Sequence, residues 1–239
     1  DFLENIGMPA YKVASFEIND IQLLRKIAKT GKPIIMATGI AELADIEQAL
    51  KTCIEAGNDQ VILLKCTSAY PTPYDEVNIN MLKTLRETFG CLVGISDHTF
   101  GATVPILSVA MGGKMIEKHV TLKRSDGGTD SEFSMEMEEF EEMCKQVRMA
   151  EQAMGTSRYY LTDSQKMERH FSRSLFIAED MEAGEIITEN NVRSVRPADG
   201  MHTMYFEDIV GKKVNRKLIK GTPMMWKFID WSEDEEKKK

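Results

Sequence analysis

The amino-acid sequence predicts an α/β protein whose first 155 residues form consecutive strand–helix units of a parallel sheet. Short runs rich in β-branched and apolar residues alternate with stretches of helical period, and the strand candidates begin at intervals of 22 to 31 residues. Strands and helices that alternate at this spacing are typical of parallel βαβ units. Five units fit either an open doubly wound sheet or part of a (β/α)8 barrel, which needs three more units, or about 100 residues, before Asp1. The sequence opens on what reads as the end of a helix, so we expect further strand–helix units before Asp1. We therefore expect the barrel.

The individual elements follow from local patterns of apolar residues and turn signals. The predicted strands are residues 11–15, 33–38, 60–68, 91–96 and 115–121. The predicted helices are residues 20–29, 43–56, 79–88, 104–111 and 136–154. Gly155 is a typical residue after a helix end, so the barrel domain is expected to cover residues 1–155.

The composition changes after this domain. Residues 156–170 are polar, have no apolar period and are predicted to form a linker. Residues 171–231 contain short strand-like pieces and turn signals such as Asp199-Gly200, which indicate a small, loop-rich second domain. Residues 232–239 are predicted to be a charged tail.

Composition also limits the class of protein. The net charge of −8 argues against a nucleic-acid partner, since binding to phosphates needs clustered Lys and Arg. The longest apolar runs are far too short to span a membrane. Four cysteines without a C-x-x-C pair are expected to be free thiols in the reducing cytoplasm, which is the predicted location.

Two histidines stand at the predicted ends of consecutive strands, His98 in Ser-Asp-His-Thr and His119 in Glu-Lys-His. The carboxyl ends of parallel strands meet at one edge of a sheet, so the two imidazoles can approach a common point. Neutral imidazole is a frequent ligand of divalent metal ions, and two protein ligands leave positions for substrate and water. The alternative is a pair of unrelated histidines.

Other strand ends carry the groups that an anion needs, a cation together with several hydroxyl donors. We expect a phosphate or carboxylate cradle from Lys12, Ser15, Ser68 and Ser96. Each could instead make only a strand-end hydrogen bond. Glu17 and Glu117 are candidates for acid–base groups or for structural ion pairs.

In order and spacing, these motifs resemble those of the sialic acid synthase family, which condenses phosphoenolpyruvate with an amino sugar. The matching segments are Lys12–Glu17, Cys66–Pro71, Ser96–Thr99, Glu117–His119, Arg173–Leu175 and Arg196-Pro197. The resemblance implies a (β/α)8 barrel followed by an antifreeze-like (SAF) domain over residues 171–231. It also implies a homodimer in which that domain reaches over the partner's barrel.

The resemblance assigns roles to individual residues. His98 and His119 match metal ligands, usually for manganese, with magnesium and cobalt as alternatives. The implied phosphoenolpyruvate-binding residues are Lys12, Ser15, Ser68 and Ser96; the residues facing an N-acetylated sugar are Glu17, Tyr70 and Asp130, with Glu17 and Tyr70 as catalytic groups; and Arg196 is delivered to the N-acetyl group across the dimer.

Within the family, segments 14–18 and 171–176 are most similar to the pseudaminic acid synthases. Thr129 and Ala198 depart from residues common in the family, and both lie in loops at the sugar end. N-acetylneuraminate or legionaminate synthesis is therefore an alternative, and a non-catalytic fragment that binds a sugar or a partner is an alternative of another class. A Schiff-base aldolase that uses Lys12 or Lys65 is a third.

Overall fold

The computed structural model describes residues 1–231. The charged tail predicted at residues 232–239 lies outside the described residues. The chain divides into two compact units, the first covering Asp1–Thr156 and the second beginning at Ser157.

A five-stranded parallel sheet forms the centre of the first unit. Its strands are β1 (Tyr11–Val13), β2 (Ile34–Ala37), β3 (Val61–Cys66), β4 (Leu92–Asp97) and β5 (Ile116–Lys118). They lie in the order β1-β2-β3-β4-β5, so that each strand pairs in parallel with the next one in sequence. The predicted α/β class and the parallel strand–helix units are confirmed.

Helices follow or precede each strand, within a few residues of the predicted bounds. They are α1 (Phe2–Asn5), α2 (Ile21–Ala28), α3 (Leu43–Glu55), α4 (Met81–Phe89), α5 (Thr103–Ala110) and α6 (Met137–Met154). Side chains stabilise several helix starts: the Asp20 carboxylate accepts a hydrogen bond from the backbone N–H of Leu23 at the start of α2, and α3 and α6 each begin with a capping box. Helix α4 ends at Gly90, whose φ of 67° suits the left-handed conformation of a helix C-terminus.

The main core of this unit lies between the sheet and its helices. Leu24, Ile34, Met36, Leu63 and Leu82 are fully buried there. Burial of this apolar face is the principal reason why amphipathic helices dock on the sheet.

The sheet is strongly curled. Lys12 on β1 and Glu117 on β5 belong to the two outermost strands, yet Lys12 Nζ lies 3.3 Å from Glu117 Oε1. A flat sheet would hold these strands about 19 Å apart, since four strand spacings of roughly 4.8 Å separate them. The curl agrees with part of a barrel and not with an open doubly wound sheet.

The predicted linker, residues 156–170, contains a short helix. Residues Asp163–Glu168 form helix α7, which begins with a capping box between Thr162 and Gln165. The helix has no buried residues, which explains why a search for apolar periodicity misses it. The Thr-x-x-Gln pattern at its start was the available signal.

The second unit is small and rich in turns. It contains β6 (Ser174–Ile177), β7 (Val192–Val195), α8 (Phe206–Ile209), β8 (Lys213–Val214) and β9 (Ile229–Asp230). Strands β6 and β7 pair antiparallel, as do β8 and β9. A single antiparallel bridge joins Ile186 to Lys213. The core of the second unit includes the fully buried Leu175, Met181 and Ile187.

All four cysteines are free thiols. Among residues 1–231, no helix combines the length and the apolar character that a membrane span requires.

Candidate active site

The predicted site residues of the first unit gather where the strands end. Lys12 lies in β1 and Ser96 in β4, while Ser15, Ser68, His98 and His119 follow the ends of β1, β3, β4 and β5. Alternation along β1 predicts that Lys12 and Ser15 point to different faces. The strand stops at Val13, however, and the 3-10 turn Ser15–Glu17 redirects the chain so that Ser15 is buried on the site side.

His98 and His119 are close neighbours. Their ring centroids lie 5.2 Å apart, and the ring planes meet at 72°. His98 Nδ1 lies 2.9 Å from the carbonyl oxygen of Thr67, so a protonated Nδ1 donates to that carbonyl and leaves the lone pair of Nε2 available. His119 Nδ1 lies 3.7 Å from Asp130 Oδ2, so Asp130 also lies beside the histidine pair.

The electrostatic surroundings differ between the two rings. Burial, followed by the neighbouring His98, lowers the pKa of His119 and favours the neutral imidazole that binds metals. Burial also lowers the pKa of His98, but the contacts with the Cys66 thiol and the Thr67 carbonyl outweigh it, and the net direction is upward. A cation at His98 must therefore compete with a proton.

The two imidazoles are ligands of the type that divalent metal ions prefer. Among residues 1–231, no three His, Cys, Asp or Glu side chains are grouped closely enough to enclose a metal ion. His98 and His119 would thus supply two ligands of a site that stays open to further ones.

A hydroxyl cradle lies beside the histidines, around Gly39. Ser15 Oγ accepts a hydrogen bond from the Gly39 N–H at 3.0 Å. The Ser68 hydroxyl is buried and makes no hydrogen bond of normal length and angle among the described residues, although the Tyr70 phenol lies near it. A buried, unpaired hydroxyl is costly unless a ligand satisfies it. A Cβ on Gly39 would overlap Ser68 Oγ and lie 2.7 Å from Ser15 Oγ, so glycine keeps this space open.

Glu117 connects Lys12 with Ser96. Its carboxylate accepts a hydrogen bond from Ser96 Oγ at 2.7 Å and pairs with Lys12 Nζ at 3.3 Å. From the sequence Glu117 was only an acid–base or ion-pair candidate, and the structure places it between two residues of the predicted anion cradle. Its position in the Glu-Lys-His motif was the signal that pointed to it.

An aromatic wall borders the site. The Tyr70 ring lies 4.3 Å from that of His98 and 5.9 Å from that of Phe133, which in turn lies 5.0 Å from His119. Tyr70 is 46% exposed, so this wall is open to solvent. Sequence reasoning missed Phe133, because nothing in its loop distinguishes it from an ordinary apolar residue.

Two predicted residues do not join this cluster within the first unit. Glu17 lies exposed at the end of the turn Ser15–Glu17. Arg196 belongs to the second unit, where it follows β7 and precedes a cis peptide bond to Pro197. Its contact with a sugar across a dimer stays a prediction.

Comparison with known proteins identifies the family. The model of the NeuB family matches residues 1–159, which include the curled sheet and both histidines. The chain belongs to the NeuB family. A SAF domain model matches residues 172–230. These matches confirm the resemblance to the sialic acid synthases and the predicted SAF domain at the C-terminal side.

Individual NeuB-family proteins are similar over most of the chain. A pseudaminic acid synthase of Campylobacter jejuni is 41% identical over 221 residues, which is 92% of this chain and 64% of that protein. An N,N'-diacetyllegionaminic acid synthase of the same species is 37% identical over 215 residues, or 89% of this chain and 64% of that one. The chain therefore spans just under two thirds of the length of these relatives.

A solved NeuB-like structure covers nearly the whole chain. The crystal structure of the spore coat polysaccharide biosynthesis protein SpsE of Bacillus subtilis is 29% identical, with a TM-score of 0.63. The alignment covers 98% of this chain and 71% of that one. The likeness supports the barrel-type fold of the first unit and the SAF fold of the second.

Proposed function

We propose that the protein is a metal-dependent synthase that condenses phosphoenolpyruvate with a 2,4-diacetamido-2,4,6-trideoxy-L-altrose-type sugar and releases phosphate, as a pseudaminic acid synthase does. The observation that carries the proposal is the convergence of the His98–His119 pair with a lysine and hydroxyl cradle at one end of the sheet. The identity to a pseudaminic acid synthase over 92% of the chain supports the choice of sugar.

Phosphoenolpyruvate would lie in the cradle. Its phosphate and carboxylate need a cation and several donors, which Lys12 and the hydroxyls of Ser15, Ser68 and Ser96 supply. The unpaired Ser68 hydroxyl would gain its missing partner. Holding the anion in one orientation directs its alkene carbon towards the sugar, which is catalysis by positioning.

The sugar would lie on the histidine side of the cradle. A divalent ion bound by His98 and His119 would supply Lewis-acid polarisation of the aldehyde oxygen of the open-chain sugar. Tyr70 borders this space and Asp130 lies near His119, and in the proposal both would contact sugar hydroxyl or acetamido groups. Burial raises the pKa of Tyr70, which keeps the phenol protonated and able to donate.

The overall reaction balances without a redox partner. The alkene carbon of phosphoenolpyruvate forms a bond with the aldehyde carbon, water adds to the carbon that bears the phosphate, and phosphate leaves with C–O cleavage. The proposal includes a homodimer in which Arg196 of one subunit completes the sugar site of the other.

The second candidate function is synthesis of legionaminic acid, because a legionaminic acid synthase is nearly as similar, at 37% identity.

Substrate choice tests the proposal directly. We expect the full-length protein that carries this chain to release inorganic phosphate from phosphoenolpyruvate when Mn²⁺ and the L-altrose-type diacetamido sugar are present. N-acetylmannosamine should support much less release. Preference for N-acetylmannosamine would favour the neuraminate branch, and preference for another diacetamido stereoisomer would favour the legionaminate branch. No release with any of these sugars would favour a non-catalytic role.

Removal of the imidazoles tests the metal assignment. The double variant H98A/H119A should lose Mn²⁺ binding in calorimetry and lose phosphate release by more than about 1,000-fold, since an interaction worth several kcal/mol disappears. H170A is a suitable control, because His170 is an exposed side chain of the second unit that pairs with Asp199. Retained Mn²⁺ affinity in the double variant would contradict the assignment.

A further inference from the structure

A buried ion pair lies next to the two histidines in sequence. Lys118 Nζ lies 2.7 Å from Asp97 Oδ2, and both side chains are only 2% exposed. Asp97 immediately precedes His98, and Lys118 immediately precedes His119. In contrast, the side chains of the Lys12–Glu117 pair are 33% and 38% exposed.

Burying two charges is costly. Lysine and aspartate are rarely buried unless they are paired, and an apolar pair of similar volume often stabilises a protein as well or better. A buried ion pair is best understood where its directional contacts fix a particular register. The position of this pair in the sheet therefore indicates which strands it holds in register.

The pair lies on the other face of the sheet from the site. Asp97 is directly opposite Lys118 in the β4–β5 register, and the preceding pair is Ser96 opposite Glu117. Successive side chains of a strand point to opposite faces. Ser96 and Glu117 meet on the site face, so Asp97 and Lys118 meet on the face that carries the helices.

Lys118 contacts the residues on both sides of His98. Its ammonium donates to the Asp97 carboxylate and also to the carbonyl oxygen of Thr99, at 2.6 Å. The Asp97 carboxylate in turn accepts hydrogen bonds from the backbone N–H and the hydroxyl of Thr99. The residue before His98 and the residue after it are thus tied to the residue before His119.

We propose that the Asp97–Lys118 ion pair is a positioning device that sets the separation of His98 and His119 and thereby the affinity of the site for a divalent cation. The inference rests on the metal site of the proposed function. A shift of β5 by one residue against β4 would turn His119 to the opposite face, and it would also turn the Lys118 side chain away from Asp97. Both side chains lie on the face of the sheet opposite the site, so both are positioning residues.

The test compares Mn²⁺ binding in charge-balanced variants of the full-length protein. D97N/K118M removes both charges together, retains an acceptor oxygen for the Thr99 N–H and deletes the tie to the Thr99 carbonyl. We expect its Mn²⁺ dissociation constant to rise by about 10- to 100-fold, the usual effect of losing groups that orient metal ligands. K114M is the matched control, because Lys114 is an exposed residue just before β5, and its Mn²⁺ affinity should equal that of the wild type.

Thermal unfolding and far-UV circular dichroism separate positioning from simple stability. Weaker Mn²⁺ binding by a double variant that is folded at the assay temperature supports the inference. An unchanged dissociation constant in that variant, whatever its melting temperature, overturns the inference and leaves the metal site standing. Failure of the wild type itself to bind Mn²⁺ overturns the metal site of the proposed function, and the inference with it.

Discussion

Substituting Gly39 with alanine is expected to abolish the binding of phosphoenolpyruvate while leaving the fold nearly intact. The added methyl group would overlap Ser68 Oγ and lie 2.7 Å from Ser15 Oγ, so both hydroxyls must rotate out of the cradle. These are the ends of small side chains, so the cost in stability is small, about 1 kcal/mol for the lost hydrogen bond from the Gly39 N–H to Ser15 Oγ. Loss of two hydrogen bonds to a charged ligand, each worth about 1.5–3 kcal/mol, predicts an affinity loss of more than about 100-fold in calorimetry.

The variant S68A provides the comparison for G39A. It removes a hydroxyl that is buried and unpaired among the described residues, so the free energy of unfolding should stay the same or rise by up to about 1 kcal/mol. Phosphoenolpyruvate affinity should fall, but less than in G39A, because Ser15 keeps its place. Wild-type affinity in G39A would show that the space around Gly39 is not the anion site.

Substituting Gly94 with alanine should cause a large loss of stability in the first unit. Gly94 lies in the middle of β4, where a Cβ would overlap the carbonyl oxygen of Met115 and lie 2.8 Å from Leu64 Cδ2. That carbonyl accepts the hydrogen bond from Ile95 N–H at 2.9 Å. Backbone cannot rotate away as a side chain can, so the start of the β4–β5 pairing must open. We expect the free energy of unfolding to fall by about 3 kcal/mol or more.

Urea denaturation of G94A, monitored by circular dichroism, measures this loss. L92A is the control on the same strand, since Leu92 is 56% exposed and its truncation should change stability by only about 0.5 kcal/mol. Equal midpoints for G94A and L92A would contradict the close approach of the strands. G94A should also weaken Mn²⁺ binding, because His98 and His119 lie at the far end of the same strand pair.

The strands and helices of the first unit could be predicted because their signals are local. Apolar runs gave β2 and β3 within a few residues, and helical periodicity gave α3 and α6. The convergence of His98 and His119 could also be predicted, because parallel strands bring their carboxyl ends to one edge. Their distance could not be predicted, since it depends on the register of β4 against β5.

Other parts of the site depend on contacts between distant segments, which one sequence does not reveal. Glu117 connects Ser96 with Lys12 only because the sheet curls until its outermost strands meet. Gly39 reads as an ordinary turn glycine, and its role depends on two serines from other strand ends. Phe133 joins the aromatic wall through the path of its loop. The roles of individual residues towards metal, phosphoenolpyruvate and sugar come from the family resemblance and stay predictions.

The sequential strand order has a consequence for how the protein is made. Each strand from β2 to β5 pairs with the one synthesised just before it, so every pairing closes a short loop at a modest entropic cost. The sheet can therefore grow by one strand–helix unit at a time as the chain leaves the ribosome, without waiting for a distant segment. Because His98 and His119 follow the last two strands of this sheet, the two imidazoles of the proposed cation site come together at the final step of that growth. A nascent chain that stops before β5 would thus hold the hydroxyls around Gly39 but only one of the two imidazoles.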